Sequence, residues 1–250
     1  MPSSPLLRRR VLRLREALPI NAAAKPSSPS SPAYWLAYSP VTLALRGVLR
    51  ALAPRWKVTG RKHIPASGPM ILAPNHIADC DPPFVGLSTH RPLWFMAKRE
   101  LFEIPVLGPF MQFAQAFPVD RDTPDRAALK RAAELLKAGQ VVVVFPEGRL
   151  SQSGELQPLL PGVALLALRA QVPVIPVGIA GTNILMPYGK TVPRPTLSPV
   201  RIHFGAPLDF SDLESLPSRV QRKECVERLE TALRETIAVA REKEYSPKEK

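Results

Sequence analysis

Short apolar runs alternate with helical patterns along most of the chain. Runs of this kind, bounded by proline, glycine or polar residues, are typical of buried strands. They predict strands at Lys57–Ile64, Met70–Ala73, Leu93–Ala97, Ala116–Val119, Val141–Phe145, Val174–Ile179 and Val200–Phe204. Apolar residues three or four positions apart predict helices at Pro82–Ser88, Pro124–Lys137, Pro161–Arg169 and from Pro217 onward. This alternation predicts an α/β fold with a largely parallel central sheet flanked by helices.

The first 55 residues show two further amphipathic stripes with a Pro/Ser-rich linker between them. The first stripe consists of Leu7, Val11, Leu14 and Leu18. The second consists of Leu45, Val48, Leu49 and Leu52, in a helix expected to begin at Ser39-Pro40. The longest uncharged apolar stretch, Pro32 to Leu45, is shorter than the roughly twenty residues that span a bilayer. We therefore expect N-terminal interfacial helices; a disordered basic tail remains the alternative for the first stripe.

Positive charge is concentrated in the same part of the chain. The net charge is +13, from 34 basic and 21 acidic residues. Residues 1–78 hold 12 basic residues and one acidic residue, Glu16, which gives +11. A basic amphipathic segment favours an anionic membrane surface as its partner. We expect a peripheral protein on the cytoplasmic face of the cell membrane, with a basic membrane-interfacial segment at 1–55 and a catalytic domain at 56–245.

A histidine and an aspartate follow the predicted strand Met70–Ala73. Functional groups of α/β proteins gather at such strand ends. His76 can accept a proton near neutral pH, and the carboxylate of Asp81 can hold its other ring nitrogen. Five positions do not align two side chains on a regular helix, so the pair must meet across a turn. The pattern predicts a general base with its orienting partner.

A second charged motif follows the predicted strand that begins at Val141. Pro146 ends this strand, and Gly148 allows the backbone to turn sharply. Glu147 and Arg149 are therefore presented at a strand end as well. Two charged motifs at the ends of two buried strands predict one shared site.

The two motifs resemble those of the glycerolipid acyltransferases of the lysophosphatidic acid acyltransferase type. Asn75–Asp81 is similar to the family's NHx4D motif, and Phe145–Gly148 is similar to its FPEG motif. Three further segments resemble family blocks in the same order: 97–101, 119–121 and 174–177. The likeness covers roughly residues 57–204. The sequence departs from the family where FPEGTRS is replaced by FPEGRLS, and where Pro161 replaces a basic residue.

The resemblance implies transfer of an acyl group from acyl-CoA or acyl carrier protein to the free hydroxyl of lysophosphatidic acid. His76 and Asp81 would be the catalytic pair. The implied substrate-binding residues are Asn75, Lys98, Arg121, Glu147, Gly148 and Arg149. Arginine suits a phosphate because its planar guanidinium offers paired donors. Glu147 would hold an acceptor hydroxyl or orient an arginine.

No metal or other cofactor is expected. Cys80 and Cys225 are the two cysteines, and no CxxC or metal-ligand spacing occurs. Acidic neighbours of Cys80 would raise the pKa of its thiol, which argues against a nucleophile. Asp79 remains an alternative partner for His76, at a spacing that fits the family less well.

The sequence is also compatible with other functions. The acceptor could be another lysolipid or a glycerol-phosphate. A thioesterase or lipase-like hydrolase could use His76 and Asp81 to activate water, although phosphate-suited arginines argue against it. A basic adaptor of membranes or nucleic acids would not need Asp81 and Glu147, so we expect no nucleic-acid partner.

Overall fold

The computed structural model describes residues 32–120 and 125–242, with side chains from residue 39 onward. The chain divides into two compact units, Met1–Tyr38 and Ser39–Lys250. Of the first unit, the described backbone of residues 32–38 is helical. The stripe at residues 7–18 and the Pro/Ser linker lie outside the described residues. The proposed division into 1–55 and 56–245 therefore stays a prediction.

The second unit alternates strands and helices, as the apolar pattern predicted. The helices are α1 (Pro32–Leu52), α2 (Asp81–Ser88), α3 (Leu107–Phe113), α4 (Arg126–Lys137), α5 (Pro161–Ala170), α6 (Thr182–Leu185) and α7 (Ser218–Arg241). The strands are β1 (Lys57–Thr59), β2 (Met70–Pro74), β3 (Leu93–Lys98), β4 (Ala116–Val119), β5 (Val141–Val143), β6 (Val174–Ala180) and β7 (Arg201–Phe204). Short 3₁₀ turns lie at Arg61–His63, Arg99–Phe102 and Ser211–Leu213.

The seven strands form one sheet in the order β1-β7-β6-β2-β5-β3-β4. Every pairing is parallel except β6 with β7, which is antiparallel. The prediction of a largely parallel sheet flanked by helices is confirmed. Strands β7 and β1 run opposite to the other five. The sequence did not predict this reversal, because a pattern of apolar residues indicates burial but not strand direction.

Helices cover both faces of the sheet and create two apolar cores. Successive residues of β2 point to opposite faces: Leu72 packs in the core with α1 and α2, and Ile71 in the core with α4, α5 and α7. Because both faces are covered, the central strands are apolar at every position. The carboxyl ends of five strands, β6, β2, β5, β3 and β4, lie side by side at one edge.

Several predicted boundaries were wrong. The predicted strand Val141–Phe145 ends at Val143, so Pro146 is not the residue that ends it. The predicted strand Lys57–Ile64 stops at Thr59, because Gly60 turns the chain with φ 73° into a 3₁₀ turn. Helix α4 was expected to begin at Pro124, but the side chain of Asp125 caps it by accepting from Ala128 N. Helix α1 does not begin at Ser39-Pro40; it begins at Pro32 and contains Pro40. A proline in the first position of a segment and one inside a helix look alike in the sequence.

None of the helices in residues 32–120 and 125–242 is both long and apolar enough to cross a membrane. In α1, Leu49 is buried and Leu45 and Leu52 pack against the core. Val48 was predicted to share their face, but it is 53% exposed. The exposed side of α1 therefore carries apolar residues, among them Leu43 at 72% exposure.

Candidate active site

His76 and Asp81 meet in a tight turn between β2 and α2. Nδ1 of His76 lies 3.0 Å from Oδ2 of Asp81, and both side chains are buried. The same Oδ2 accepts the backbone N–H groups of Ile77 at 2.7 Å and Ala78 at 2.9 Å. These bonds fold residues 76–81 around the carboxylate, which is how a spacing of five brings the pair together. The predicted contact is confirmed, and Asp81 rather than Asp79 makes it.

The geometry leaves Nε2 of His76 for a reacting group. Nδ1 is occupied by Asp81, and no residue in the described part of the chain is hydrogen-bonded to Nε2. A carboxylate at Nδ1 favours the tautomer whose proton is on Nδ1, so that Nε2 carries the free electron pair. The ring of Phe145 packs against the imidazole with centroids 4.2 Å apart and fixes its plane. The arrangement is chemically competent for general base catalysis.

Glu147 connects the two motifs through the backbone. Its Oε1 accepts the N–H of His76 at 2.7 Å, and its Oε2 accepts the N–H of Gln157 at 2.7 Å. The residue is 2% exposed. Burial raises the pKa of the Glu147 carboxyl, and the two backbone N–H groups oppose that shift. Both oxygens are therefore engaged in holding the chain, which differs from the predicted role as an acceptor ligand; that role stays a prediction.

Gly148 and Ser151 complete the attachment of the second motif to the first. Ser151 N donates to the carbonyl of His76 at 2.8 Å. The N–H and the C=O of His76 are therefore both hydrogen-bonded to the second motif. Gly148 has φ 66°, and a Cβ there would overlap the side chain of Leu160. Only glycine accommodates both conditions without strain. Ser151 was not anticipated as a site residue, because its contribution is made by its backbone.

Asn75 also acts within the scaffold. Its Oδ1 accepts from Ile179 N at 2.7 Å, and its Nδ2 donates to Ile179 O at 3.1 Å. These bonds extend the hydrogen bonding between β2 and β6 by one residue. The amide of Asn75 thereby fixes the backbone just before His76 against the sheet. Its predicted contact with substrate is a different role and stays a prediction.

The candidate phosphate-binding residues differ in their exposure and in their ion-pair partners. Arg149, two residues after Glu147, is exposed and forms no ion pair or side-chain hydrogen bond with the described residues. Lys98, at the end of β3, pairs with Glu100 at 3.2 Å and is half-exposed. Arg121 lies outside the described residues. The neighbouring Arg99 binds Asp120 with two hydrogen bonds of 2.6 and 2.9 Å, so it supports the end of β4.

Two residues that the sequence analysis did not single out hold the loop after Gly148. Gln157 donates through Nε2 to Ser151 Oγ at 3.3 Å and to Glu155 O at 3.0 Å. Arg241, in the last turn of α7, pairs with Glu155 at 3.0 Å and donates to Gly154 O at 2.8 Å. A glutamine among polar loop residues and an arginine 86 positions away give no signal in the sequence.

The remaining polar candidates belong to the structure of the fold. Burial raises the pKa of the Cys80 thiol to about 12, with Asp81 adding to the effect, and burial alone raises that of Cys225 to about 12. His203 bonds Thr59 at 2.8 Å and His63 bonds Phe204 O at 2.8 Å, both away from His76. Across residues 32–120 and 125–242 no group of three or more His, Cys, Asp or Glu is placed to hold a metal ion.

A cavity of about 710 Å³ opens beside the site. It begins at Phe145, Pro146 and Gly148 and extends between α4 and α5 over the ends of β3 and β4. Its floor is apolar, with Met96 and Val144 pointing into it. Its volume is within the range of ligand pockets.

The sequence model of the acyltransferase family matches residues 55–180, which is half of the chain. The chain belongs to the acyltransferase family. The matched region contains both members of the His76–Asp81 pair and Glu147, and it ends at β6. Helix α7, with Arg241, lies beyond it.

Known acyltransferases and a solved structure are similar to this chain. A 1-acyl-sn-glycerol-3-phosphate acyltransferase of Bacillus subtilis is 29% identical over 199 residues, which cover 78% of this chain and 91% of that enzyme. A chloroplastic 1-acyl-sn-glycerol-3-phosphate acyltransferase of Brassica napus is 35% identical over 136 residues, but the chain spans only 39% of its length. The crystal structure of the 1-acyl-sn-glycerophosphate acyltransferase PlsC from Thermotoga maritima superimposes with a TM-score of 0.64, at 27% identity, over 84% of each chain.

Proposed function

We propose that the protein is a 1-acyl-sn-glycerol-3-phosphate O-acyltransferase, which converts lysophosphatidic acid to phosphatidic acid in phospholipid biosynthesis. The observation that supports it is the buried His76–Asp81 pair, whose Nδ1 and Oδ2 atoms are 3.0 Å apart and whose Nε2 remains available to a substrate. The names of the relatives and of the structural neighbour point to the same acceptor.

The reaction needs no enzyme nucleophile. Nε2 of His76 takes the proton of the acceptor hydroxyl while the hydroxyl oxygen attacks the carbonyl carbon of the acyl thioester. The C–S bond then breaks, and the departing sulfur receives the proton from His76. The carboxylate of Asp81 stabilises the imidazolium that exists between these steps. Acyl-CoA or acyl carrier protein would supply the thioester.

Arg149 is the described residue best placed to hold the phosphate of the acceptor. In lysophosphatidic acid the free hydroxyl and the phosphate are on neighbouring carbons of one glycerol. A hydroxyl at His76 therefore requires a cation at the same edge of the sheet. Arg149 follows β5, the strand next to β2, and it has no carboxylate partner among the described residues. Lys98 would assist from the end of β3. Arg121 stays a candidate on the basis of the sequence alone.

We also propose peripheral attachment to the anionic cytoplasmic face of the cell membrane. Two apolar side chains of α1 are well exposed, Leu43 at 72% and Val48 at 53%. Arg46 and Arg50 follow Leu43 at helical spacing, and no acidic residue occurs between positions 17 and 78. A helix that exposes both apolar and basic side chains is suited to the interface of an anionic bilayer.

An acceptor panel with one radiolabelled acyl-CoA tests the proposed reaction. Lysophosphatidic acid, glycerol 3-phosphate, a zwitterionic lysophospholipid and no acceptor are compared with the purified full chain. We expect labelled phosphatidic acid to be the main product. Release of labelled fatty acid at the same rate with and without acceptor would instead establish a hydrolase.

A further inference from the structure

The cavity beside the site has an apolar floor and a basic border. Arg169 on α5 and Arg222 on α7 line it, and Arg126 on α4 lines a smaller recess that shares Leu129, Leu165 and Arg169 with it. All three are exposed, and none forms an ion pair or side-chain hydrogen bond with another residue in 32–120 or 125–242. They come from three helices that are far apart in sequence.

The two carboxylates at the cavity are already engaged. Asp120 forms the two-bond pair with Arg99. Asp125 accepts the N–H of Ala128 as the cap of α4 and the N–H of Asp120. The border consequently has an excess of positive charge, and its three guanidinium groups can offer paired donors to a phosphate.

The distance of these arginines from His76 indicates whether they can bind the phosphate of the acceptor or that of the acyl donor. Leu160, directly before α5, contacts Gly148 at the site, and Arg169 is nine residues further along α5. At 1.5 Å per residue, Arg169 is about 14 Å along the helix from that contact. The acceptor's phosphate is one carbon away from its hydroxyl, so it cannot reach Arg169 while the hydroxyl is at His76. In the acyl donor, a long pantetheine arm separates the thioester from the phosphate.

We propose that Arg169 and Arg222, with Arg126, form the subsite for the phosphate-bearing end of the acyl donor. The uncharged pantetheine arm lies along the apolar floor between Phe145 and Leu165, and the thioester carbonyl is presented to the acceptor at His76. The phosphate is common to coenzyme A and to the 4′-phosphopantetheine group of a carrier protein. This inference rests on the proposed acyl transfer and assigns its donor side.

Three donors that differ only beyond the pantetheine arm test the proposal: palmitoyl-CoA, palmitoyl-4′-phosphopantetheine and palmitoyl-pantetheine, which has no phosphate. They are assayed at saturating lysophosphatidic acid with the wild type and with the double variant Arg169→Ala/Arg222→Ala. A charged hydrogen bond contributes about 1.5–3 kcal/mol, so the KM for palmitoyl-CoA should rise at least tenfold. The kcat/KM for palmitoyl-pantetheine should not change.

The variant Arg219→Ala is the matched control. Arg219 is exposed on α7, three residues before Arg222, but it does not line the cavity. It should leave all three donors unaffected. Equal losses with palmitoyl-CoA and palmitoyl-pantetheine in the double variant would overturn the proposal, since they would reveal a structural role. Unchanged KM values for every donor would overturn it too, because the cavity would then hold another group.

The phosphopantetheine donor identifies which phosphate is held. If its KM rises as much as that of palmitoyl-CoA, the arginines bind the phosphate shared by both donor types. If only palmitoyl-CoA is affected, they bind the adenosine phosphates. Either result supports an anionic donor subsite.

Direct binding separates this inference from the proposed reaction. Calorimetric titration with coenzyme A, which has no acyl group to transfer, should show at least a tenfold higher Kd for the double variant than for the wild type. If the wild type transfers no acyl group but shows this difference, the reaction is wrong and the subsite stands. If the wild type does not bind coenzyme A, or both proteins bind it equally, the subsite is wrong whatever the activity.

Discussion

The backbone N–H of His76 donates a 2.7 Å hydrogen bond to Oε1 of Glu147, a residue 71 positions later in the chain. The two motifs are thus joined by a contact in which the histidine contributes its main chain and the glutamate its side chain. The imidazole is left free to bind Asp81 on one side and a substrate on the other. The second motif therefore determines where the first one is held.

Replacing His76 tests the general base. In the variant His76→Ala we expect turnover to fall by roughly a hundredfold or more, because the acceptor hydroxyl loses its proton acceptor. The variant His90→Ala, which removes an exposed histidine away from the site, should retain full activity. Steady-state rates of the purified proteins, with circular dichroism to verify folding, measure the effect. Near-normal turnover of His76→Ala would remove this residue from the mechanism.

Glu147 should act on rate and stability together. In Glu147→Gln, an amide NH₂ group replaces one carboxylate oxygen and meets a backbone N–H, so one buried donor loses its acceptor. We expect a cost of about 1–3 kcal/mol in unfolding free energy. Displacement of His76 should lower kcat by roughly ten- to hundredfold. Denaturant unfolding and kinetics measure both effects. A higher acceptor KM with unchanged kcat and stability would show instead that Glu147 contacts the acceptor.

Arg149 should affect the acceptor and not the donor. If it holds the phosphate of lysophosphatidic acid, Arg149→Ala should raise the acceptor KM about tenfold or more and leave the donor KM unchanged. Arg149→Lys should recover only part of the affinity, because lysine cannot offer paired donors. Arg121→Ala is expected to behave in the same way. A parallel rise in both KM values would assign these residues to the fold or to the donor.

Cys80 should be dispensable for the chemistry. With a pKa of about 12, the thiol is ionised in about one molecule in ten thousand at pH 8. We expect Cys80→Ala to keep most of its activity. Neither Cys80 nor Cys225, which has the same raised pKa, should react with iodoacetamide in the folded protein at pH 8. Mass spectrometry of peptides before and after unfolding measures this, and rapid labelling of native Cys80 would show that its surroundings are open.

Membrane binding should have a salt-sensitive and a salt-resistant part. Removing residues 1–31 takes away basic side chains and should therefore reduce binding to anionic vesicles at low salt. Binding of the full chain should weaken as salt is added, because electrostatic attraction is screened within about 8 Å at physiological ionic strength. Leu43→Glu with Val48→Glu should reduce the salt-resistant part by placing charge at two exposed apolar positions of α1. Val220→Glu, at a similarly exposed apolar position on α7, is the control. Vesicle sedimentation measures both parts.

Either of two results would contradict peripheral attachment. The first is binding of the shortened chain to anionic vesicles as strong as that of the full chain at low salt. The second is retention of the full chain in membranes during alkaline carbonate extraction.

The sequence by itself determined the elements and the chemical groups of the site. Val141–Val143 and Met70–Ala73 are buried on both faces, and continuous apolar runs of this kind identify central strands. His76 and Asp81 are five positions apart, so the turn that brings them together is local and their pairing was predictable. Gly148 was expected to let the backbone turn sharply, and its φ of 66° agrees with that expectation.

Only the tertiary structure decided how these pieces support one another. Glu147 reaches His76, Asn75 reaches Ile179 and Arg241 reaches Glu155 across separations of 71, 104 and 86 positions. Such partners depend on strand order and on packing of α7, which no local pattern records. The reversed direction of β7 and β1, and the meeting of three arginines around the cavity, likewise depend on how distant parts of the chain pack together. Local sequence specifies backbone conformation and burial, whereas the meeting of distant side chains is set by how the sheet and its helices assemble.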